Sequence, residues 1–402
     1  MSSKPCKLIS SRFFIVVFLF IFGFTSVSAK ANEANASVTD DKVIGILTSG
    51  GDCPGLNSII YAVYQGAKRR GFKVLGFRHG AQGMIDDEFI ELNDDNCSPE
   101  ILAQGGSMLR CWTKPVVKGE KKLSKDESDF EMIRTYKKHN LKCLIYIGGD
   151  GSTRIMKSII TKDPTLKIVA VPKTIDNDIK NTDVSVGFST AVQTVSQAVE
   201  ILRPTVRTHE RIMVVEVMGR AAGYIALSAG LVTGADVILV PEIPYRMEEI
   251  YQKMHQIFGP SGKKYAFIVV SEAVKFGSEE YNVNHVSDTL ARVAYGGIAQ
   301  KIADDLKAQG FDAKSICLGH LQRGNSPTLS DIELGMRFGQ AAAAIACNSN
   351  EAGNCQLGIR GKAVVQTKLE DIRETKRQLT PNDSLIKLAT ELGTYVGDIV
   401  AL

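Results

Sequence analysis

The chain has 402 residues, of which 44% are hydrophobic and 23% are charged. That length and apolar content allow a large buried core and two or three domains, which is typical of a globular enzyme and not of a disordered chain. The formal net charge is only +4, and no basic stripe with interleaved aromatic residues occurs. We therefore expect no nucleic-acid partner.

The N-terminal segment has the order of zones found in secretory signal peptides. Three basic residues precede the apolar stretch 13–24, and small residues follow at Val27 and Ala29. This pattern predicts a signal peptide over residues 1–29, followed by a disordered linker over residues 30–41. An uncleaved anchor is the alternative, although a membrane helix usually needs about 20 apolar residues. We expect an exported or organellar protein, or a cytoplasmic one if the start codon is misassigned.

Cysteine usage points to a different compartment. Seven of the eight cysteines follow the N-terminal segment, an odd number with no regular spacing. Cys143 lies in an apolar run, where buried free thiols are common. No cysteine or histidine grouping has zinc spacing. These features favour a reducing compartment, which conflicts with export.

The first predicted strand, residues 43–47, leads into a glycine-rich loop that contains Gly50 and Gly51. An amphipathic helix over residues 58–70 follows. Glycines let backbone N–H groups approach an anion, and a helix N-terminus attracts negative charge. The arrangement therefore predicts a phosphate site, with a simple strand-to-helix turn as the alternative. It is neither a Walker A motif nor a GxGxxG fingerprint, so a dinucleotide is not expected.

The same pattern recurs after a strand at residues 144–147. Gly148-Gly149-Asp150-Gly151-Ser152-Thr153 follows, and then a helix through Ile160. Two such loops should lie at one edge of a parallel sheet and face one ligand. Because the turn does not require Asp150, its carboxylate is a candidate to hold Mg²⁺ through water beside bound phosphates. The charged segment between the two loops, residues 111–129, is predicted to be a solvated surface insertion.

A third strand, residues 168–171, ends in the septet Pro172-Lys173-Thr174-Ile175-Asp176-Asn177-Asp178. Open α/β sheets hold ligands at the carboxyl ends of their strands. Two carboxylates and a hydroxyl at such an edge suit a site that takes a proton from an alcohol. The alternative is an Asx-rich turn whose side chains cap their own backbone.

The rest of the chain continues to alternate strands and helices. Positive charge on Arg207, His209 and Arg211 would suit a phosphate on the acceptor. The strand over 266–270 ends at Glu272. The remaining elements are strands over 212–217 and 316–318 and helices over 190–203, 221–231 and 288–309. This alternation predicts a doubly wound α/β protein.

Five of these stretches together resemble the phosphofructokinase family, in the same order along residues 43–346. They are ILTSGGDCPGLN from Ile46, GGDGS from Gly148, PKTIDND from Pro172, VEVMGR from Val215 and GHLQRG from Gly319. The resemblance implies two doubly wound, three-layer αβα lobes with the active site between them. The donor lobe would comprise 42–186, completed by about 322–372, and the sugar-phosphate lobe 187–321, completed by about 373–402. It also implies a homodimer or homotetramer with shared active sites.

The resemblance also implies roles for individual residues in transferring a phosphoryl group to the 1-hydroxyl of fructose 6-phosphate. Asp176 would be the general base, assisted by Thr174 and Arg220, with Asp178 near the metal. The sugar phosphate would be bound by Thr174, Asp176, Met218, Gly219, Arg220, Glu272, Lys314, His320, Arg323 and, from a neighbouring subunit, Arg211. The donor would be bound by Gly51, Arg110, Gly149, Asp150, Gly151 and Ser152, with Mg²⁺ on Asp150.

The phosphoryl donor depends on two positions. Family members that use pyrophosphate resemble Gly-Gly-Asp-Asp at the second loop, whereas Gly151 leaves room for ATP. Lys173 is typical of pyrophosphate users, so pyrophosphate is the alternative donor. The chain departs from the family pattern at three places. Lys314 stands in place of an arginine, and Ala81 stands in place of an aromatic residue. The usual Gly-Ser-x-Arg is missing near Arg110, so its arginine is either Arg110, in a shifted position, or absent.

Two other classes of protein remain as alternatives. A non-catalytic regulatory homologue would be expected to lose the base or the metal ligand, yet Asp150, Thr174, Asp176 and Arg323 are all present. A lipid or NAD kinase also uses a Gly-Gly-Asp-Gly loop, but neither explains the septet or the GHLQRG stretch. We therefore expect an ATP-dependent enzyme of glycolysis.

Overall fold

The predicted signal peptide and linker, residues 1–41, lie outside the residues that the structure describes. In the described part of the chain, no helix is both long and apolar enough to cross a membrane. The computed structural model describes residues 42–260, 262–276, 295–348, 353–373 and 376–399.

The strands form two main sheets and one short hairpin. In chain order they are β1 Val43–Thr48, β2 Lys73–Phe77, β3 Phe89–Glu91, β4 Val117–Lys118, β5 Lys121–Lys122, β6 Cys143–Gly148, β7 Ile168–Pro172, β8 Ile212–Val217, β9 Val237–Leu239, β10 Ala266–Ser271, β11 Ala313–Cys317, β12 Cys355–Arg360 and β13 Ala363–Lys368.

The larger sheet has the order β13-β12-β7-β6-β1-β2-β3. Its five central strands run parallel, and β13 and β3 close the edges antiparallel. The three strands predicted before the polar loops, β1, β6 and β7, are neighbours at its centre, and all their residues are buried. Thr48 pairs with Ile147, and Gly148 pairs with Pro172. The three loops therefore leave the same edge, as the sequence predicts.

The smaller sheet has the order β11-β8-β10-β9, and all its pairs are parallel. Val217 pairs with Ser271, so Met218 and Glu272 leave the same edge. The edge strand β11 begins at Ala313, earlier than the predicted residues 316–318. Polar residues alternate with apolar ones on this half-exposed strand, so the apolar run alone underestimates its length.

Helices cover both faces of the sheets, which gives the doubly wound α/β architecture. They are α1 Leu56–Lys68, α2 Ala81–Asp86, α3 Lys125–Lys138, α4 Asp150–Lys162, α5 Phe188–Thr208, α6 Tyr224–Val232, α7 Met247–Phe258, α8 Ile298–Ala308, α9 Leu321–Gly324, α10 Leu329–Ala346 and α11 Ser384–Glu391, with a 3₁₀ helix over Pro99–Ala103.

Two sequence predictions about these elements need correction. The predicted helix over 288–309 is wrong at its start, because Gly296 and Gly297 have φ of 136° and 90°, outside the helical region, and α8 begins after them. Residues 288–294 lie outside the described part. The predicted surface insertion over 111–129 contains the β4–β5 hairpin and the capped start of α3, where Ser124 and Glu127 form a capping box.

The main hydrophobic core joins the two sheets. One face of the larger sheet contributes Ile46, Ile145 and Val171, and one face of the smaller sheet contributes Val215 and Val217. Separate clusters cover the outer face of each sheet. The larger sheet takes its strands from residues 43–172 and 355–368, and the smaller from 212–317. Residues 40–402 form one compact unit, within which the lobe boundaries stay a prediction.

Candidate active site

The loop after β1 is held against residues from two distant segments. Gly55 has φ of 96°, a left-handed conformation that glycine adopts without strain. The ammonium of Lys173 donates to the carbonyl of Gly51, and Arg323 Nη1 donates to the carbonyl of Asp52 at 2.7 Å. An added Cβ at Gly51 would collide with the Arg323 guanidinium. The backbone and these two cations therefore form one surface of the site.

The second glycine loop leads directly into α4, which begins at Asp150 with Gly149 as its N-cap. The N–H of Ser152 donates to the carbonyl of Gly149 at 3.0 Å. Asp150 lies in the first turn, 3.2 Å from the guanidinium of Arg154. A Cβ on Gly151 would meet only that guanidinium, at 3.9 Å. The N-terminus of α4 thus faces open space where an anion would be stabilised by the helix dipole.

The septet after β7 contains a turn that is held by one of its own polar side chains. Asn177 adopts φ of 54°, and its Oδ1 accepts from the N–H of Ser185 at 3.0 Å, so this amide stabilises the turn. The neighbouring carboxylates of Asp176 and Asp178 are also buried. The N–H of Asp176 donates to Thr174 Oγ1 at 3.2 Å, which brings the hydroxyl beside the carboxyl group.

The charges around the septet compete at each carboxylate. Burial raises the pKa of Asp176, while the guanidinium groups of Arg323 and Arg220 oppose that rise. Burial, together with the nearby carboxylates of Asp176 and Asp150, raises the pKa of Asp178 to about 6. An acid with a raised pKa is a stronger base once ionised. Both carboxylates are therefore better bases, once ionised, than ordinary exposed ones.

The loop after β8 has a strained backbone that is held by a carboxylate from the neighbouring strand. Gly219 has φ of 141° and Arg220 has φ of 54°. The N–H of Arg220 donates to Glu272 at 2.9 Å, and burial raises the pKa of Glu272. Gln322, fully buried, accepts from the N–H of Met218 at 3.2 Å. These contacts fix the stretch Met218, Gly219 and Arg220, which the resemblance places among the residues that bind the sugar phosphate.

Arg323 connects the two halves of the site. It lies in the short helix α9, contacts the carbonyl of Asp52 in the first glycine loop, and is close enough to Asp176 to lower its pKa. Its Nε is buried and has no hydrogen-bond partner among the described residues. A buried donor of this kind normally has an acceptor, which an anionic ligand would provide. His320, at the start of the same helix, is exposed.

Two predicted sugar-phosphate residues lie at the other edge of the smaller sheet. Arg211 immediately precedes β8, and Lys314 is the second residue of β11 and pairs with Met213. Both contact Asp312, at 3.3 Å and 3.6 Å. The carboxyl edge, where Met218 lies, is at the opposite end of these strands. The structure therefore does not bring these two cations to the site of their own chain.

Arg110 lies at the edge of the donor side. Its carbonyl accepts from Thr48 Oγ1 at 2.6 Å, which places its backbone at the end of β1. Its Nη1 lies 3.3 Å from Nε2 of His79, so the guanidinium points toward the end of β2. The indole of Trp112 contacts the His79 ring edge-on, with centroids 6.2 Å apart. The departure from Gly-Ser-x-Arg thus creates a cluster of rings and positive charge beside the first glycine loop.

The acidic residues fit a magnesium ion held mainly through water. In the described part of the chain, no three histidine, cysteine, aspartate or glutamate side chains converge as a ready-made metal cage. The carboxylates of Asp176 and Asp150 are nevertheless close enough to Asp178 to raise its pKa. Mg²⁺ usually binds one or two carboxylates together with waters and substrate phosphates. Asp150, beside the open N-terminus of α4, is the residue best placed for that role.

Comparisons with known proteins agree with this geometry. The phosphofructokinase family profile matches residues 43–346. The chain is 37% identical over 368 residues to ATP-dependent 6-phosphofructokinase 2 of Clostridium perfringens, covering 89% of this chain and 99% of that one. It is 39% identical over 345 residues to the pyrophosphate–fructose 6-phosphate 1-phosphotransferase of Amycolatopsis methanolica, covering 84% and 96%. The crystal structure of a pyrophosphate-dependent phosphofructokinase from Nitrosospira multiformis shares the fold, with 22% identity, a TM-score of 0.74 and coverage of 89% and 90%.

The comparisons contradict the prediction of a signal peptide over residues 1–29. The Clostridium perfringens relative is matched over 99% of its length by only 89% of this chain. About a tenth of this chain therefore has no counterpart in that enzyme, and the relative offers no leader segment to support the prediction. The charged, apolar and small-residue zones alone were not sufficient grounds for it.

Proposed function

The chain belongs to the phosphofructokinase family, and on that premise we propose that it is an ATP-dependent 6-phosphofructokinase. It transfers the terminal phosphoryl group of ATP to the 1-hydroxyl of fructose 6-phosphate and gives fructose 1,6-bisphosphate and ADP. The observation that carries the proposal is the buried carboxylate of Asp176 beside the two arginines Arg220 and Arg323. This carboxylate lies where two phosphate-type loops and the sugar-side loop meet.

Asp176 takes the proton of the 1-hydroxyl as that oxygen attacks the phosphorus. Burial raises the pKa of Asp176, which makes its ionised form a better base, and the two arginines oppose that rise. Thr174, whose hydroxyl lies next to Asp176, orients the sugar hydroxyl. Arg220, fixed through its backbone by Glu272, faces the charge that develops during transfer.

The donor phosphates occupy the open space between the two glycine loops. The N-terminus of α4, the ammonium of Lys173 and the guanidinium of Arg323 all contribute positive potential there. Phosphoryl transfer depends mainly on positioning and on such stabilisation of spread negative charge. A Mg²⁺ ion on Asp150, when bound, would neutralise part of the charge on the donor.

The choice of ATP as donor is supported by the space at Gly151. Among the described residues, and apart from the backbone of its own helix turn, the nearest group to an added Cβ at this position is the positive Arg154 guanidinium, at 3.9 Å. An aspartate there would fill that space with negative charge. The second candidate donor is pyrophosphate, since Lys173 is buried against the first loop and the Amycolatopsis methanolica relative is named for that activity.

The acceptor phosphate is bound in part by a second copy of the chain. Arg323 and His320 approach from the site's own subunit, whereas Arg211 and Lys314 lie at the far edge of the smaller sheet. We infer that this pair reaches the site of a neighbouring subunit in a homodimer or homotetramer. Lys314 keeps the charge of an arginine there but loses its bidentate geometry.

The proposal is tested by incubating the purified full chain with fructose 6-phosphate, Mg²⁺ and ATP and identifying the products. Fructose 1,6-bisphosphate and ADP in equal amounts are expected. The same protein with NAD or a lipid alcohol in place of the sugar should consume no ATP. A folded protein that binds fructose 6-phosphate but forms no bisphosphate with either donor would instead be the regulatory homologue.

A further inference from the structure

A short segment near the C-terminus pairs with the catalytic septet. Residues 376–379 return to the end of β7, where Lys376 forms an antiparallel bridge with Ile179. The N–H of Arg377 donates to the carbonyl of Asp178 at 2.6 Å. These two segments meet at the end of the septet, although about two hundred residues of the chain separate them.

The guanidinium of Arg377 then closes the turn that follows the septet. Its Nη2 donates to the carbonyl of Asn177 at 2.9 Å, and its Nη1 lies 3.1 Å from the carbonyl of Asp183 and 3.3 Å from that of Thr182. One rigid, planar group therefore holds both ends of the turn. Asn177 has a left-handed φ of 54°, a conformation that costs free energy unless the surroundings hold it.

The same guanidinium contacts the sugar-side half of the site. It stacks on the ring of Tyr224, 4.5 Å from the centroid, in a cation–π contact. Tyr224 is the first residue of α6, directly after the loop that carries Arg220. Two residues beyond Arg377, the N–H of Leu379 donates to Glu242 at 3.3 Å, and the same carboxylate accepts from Gly223. The segment therefore joins the septet to the sugar-side loop.

We propose that Arg377 is a positioning residue that fixes the septet carboxylates relative to the sugar-side loop. The inference rests on the proposed function, because it assigns Arg377 to the step in which Asp176 accepts a proton. Among the described residues, the Arg377 guanidinium contacts backbone carbonyls and the ring of Tyr224. It should therefore affect the rate of transfer and leave the binding of the sugar phosphate nearly unchanged. Misplacing a reacting group by about 1 Å can cost about 100-fold in rate.

Three variants of the full chain test the inference. Arg377→Ala removes every guanidinium contact, and Arg377→Lys keeps the charge but can reach only part of the carbonyl set. Arg360→Ala is the matched control, since its guanidinium also meets this turn, 3.1 Å from the Asp183 side chain, but is largely exposed and contacts no carbonyl of the septet. We expect kcat to fall about 10–100-fold in Arg377→Ala, less in Arg377→Lys, and less than twofold in the control. The KM for fructose 6-phosphate should change less than threefold.

A second measurement does not depend on activity. Hydrogen exchange of the peptide spanning 173–183 should accelerate in Arg377→Ala and stay at the wild-type rate in Arg360→Ala. If Arg377→Ala does not fold, Tyr224→Leu, which removes only the stacked ring, should show the same changes in smaller measure. The inference is overturned if kcat stays within twofold, if kcat and sugar affinity fall together, or if exchange is unchanged. Failure of wild-type turnover would instead refute the proposed function, and the exchange experiment would still decide the role of Arg377.

Discussion

Asp176 and Asn177 are consecutive and both buried, yet their side chains have different partners. The amide of Asn177 accepts from a backbone N–H and stabilises the turn, whereas the carboxylate of Asp176 faces the positive charges of Arg220 and Arg323. The residue types alone could not separate an Asx turn from a base, because both roles use the same short polar side chains. The structure assigns the turn contact to Asn177, and the role of base for Asp176 stays a prediction.

Asp176→Asn should abolish turnover while leaving sugar binding nearly intact. The amide is isosteric with the carboxylate but cannot accept the hydroxyl proton, and loss of a general base typically costs ~10²–10⁴-fold. The test is to measure kcat together with the dissociation constant for fructose 6-phosphate by calorimetry. A fall of less than tenfold in kcat would remove Asp176 from the role of base.

Asp178 makes stability depend on pH in a direction opposite to that of most carboxylates. Its pKa in the folded protein is about 6, above the ordinary value of 3.8, because burial and nearby carboxylates disfavour the charge. The folded state therefore binds this proton more tightly than the unfolded state, and the free energy of unfolding falls as pH rises from about 4 to about 6. The full effect is at most about 3 kcal/mol.

Asp178→Asn, which mimics the protonated form, should remove that loss of stability. In metal-free protein we expect the variant to be more stable than wild type at pH 7.5 and to differ little at pH 4.5. Urea denaturation at the two pH values measures both differences. A variant that is less stable than wild type at pH 7.5 would show that the ionised carboxylate stabilises the fold.

Some residue roles could not be predicted because they depend on contacts between distant segments. Gln322 lies inside the GHLQRG stretch, but only the fold shows that its side chain fixes the N–H of Met218. Arg377 lies in no motif at all. The resemblance implied that Lys314 contacts the sugar phosphate and that Arg211 does so from a neighbouring subunit. The strand directions place both residues at the opposite edge of the smaller sheet, so a neighbouring subunit is now expected for Lys314 as well.

At the scale of elements, buried strands were the most predictable features. The least predictable was helix α10 and its packing against α1. The runs at β1, β6, β7 and β8 are almost entirely apolar and end at polar loops, so their bounds were predicted to within about two residues. Helix α10 is rich in glycine and alanine and has a weak apolar face, so the sequence did not reveal it. The fold needs those small residues, because α10 packs closely against α1.

Gly339→Ala should destabilise the protein although alanine is the better helix former. An added Cβ would lie 2.5 Å from the backbone carbonyl oxygen of Ile59 and 2.6 Å from Ala62 Cβ, so α1 and α10 would have to move apart. Such overpacking costs about 1–3 kcal/mol, which outweighs the gain of about 1 kcal/mol in helix propensity. Urea denaturation at fixed protein concentration measures the difference.

The matched control is Glu333→Ala on the exposed side of the same helix, where the side chain is 71% exposed. We expect this variant to stay within about 0.5 kcal/mol of wild type. If Gly339→Ala is as stable as the control, the two helices can separate at no cost and the close packing is not required.

At the scale of the whole molecule, the positions of Arg211 and Lys314 predict active sites shared between subunits. Asp176→Asn disables a site through its own subunit, whereas Arg211→Ala should disable a site in the neighbouring one. Co-expressing the two variants should therefore restore activity that neither has alone. In a random mixture of dimers, about a quarter of the wild-type activity is expected, because each mixed dimer has one intact site. Activity no higher than that of the two variants assayed separately would show that each subunit builds its own site.

The measurement that tests the account most directly is the ratio of kcat/KM for ATP to that for pyrophosphate, with saturating fructose 6-phosphate and Mg²⁺. Because Gly151 leaves open space beside the N-terminus of α4, wild-type protein should strongly favour ATP. Gly151→Asp should lower kcat/KM for ATP far more than it lowers the affinity for fructose 6-phosphate, since a close pair of like charges can cost about 4 kcal/mol at an effective dielectric of 20. Wild-type protein that turns over pyrophosphate and ignores ATP would contradict the account, whatever the variant does.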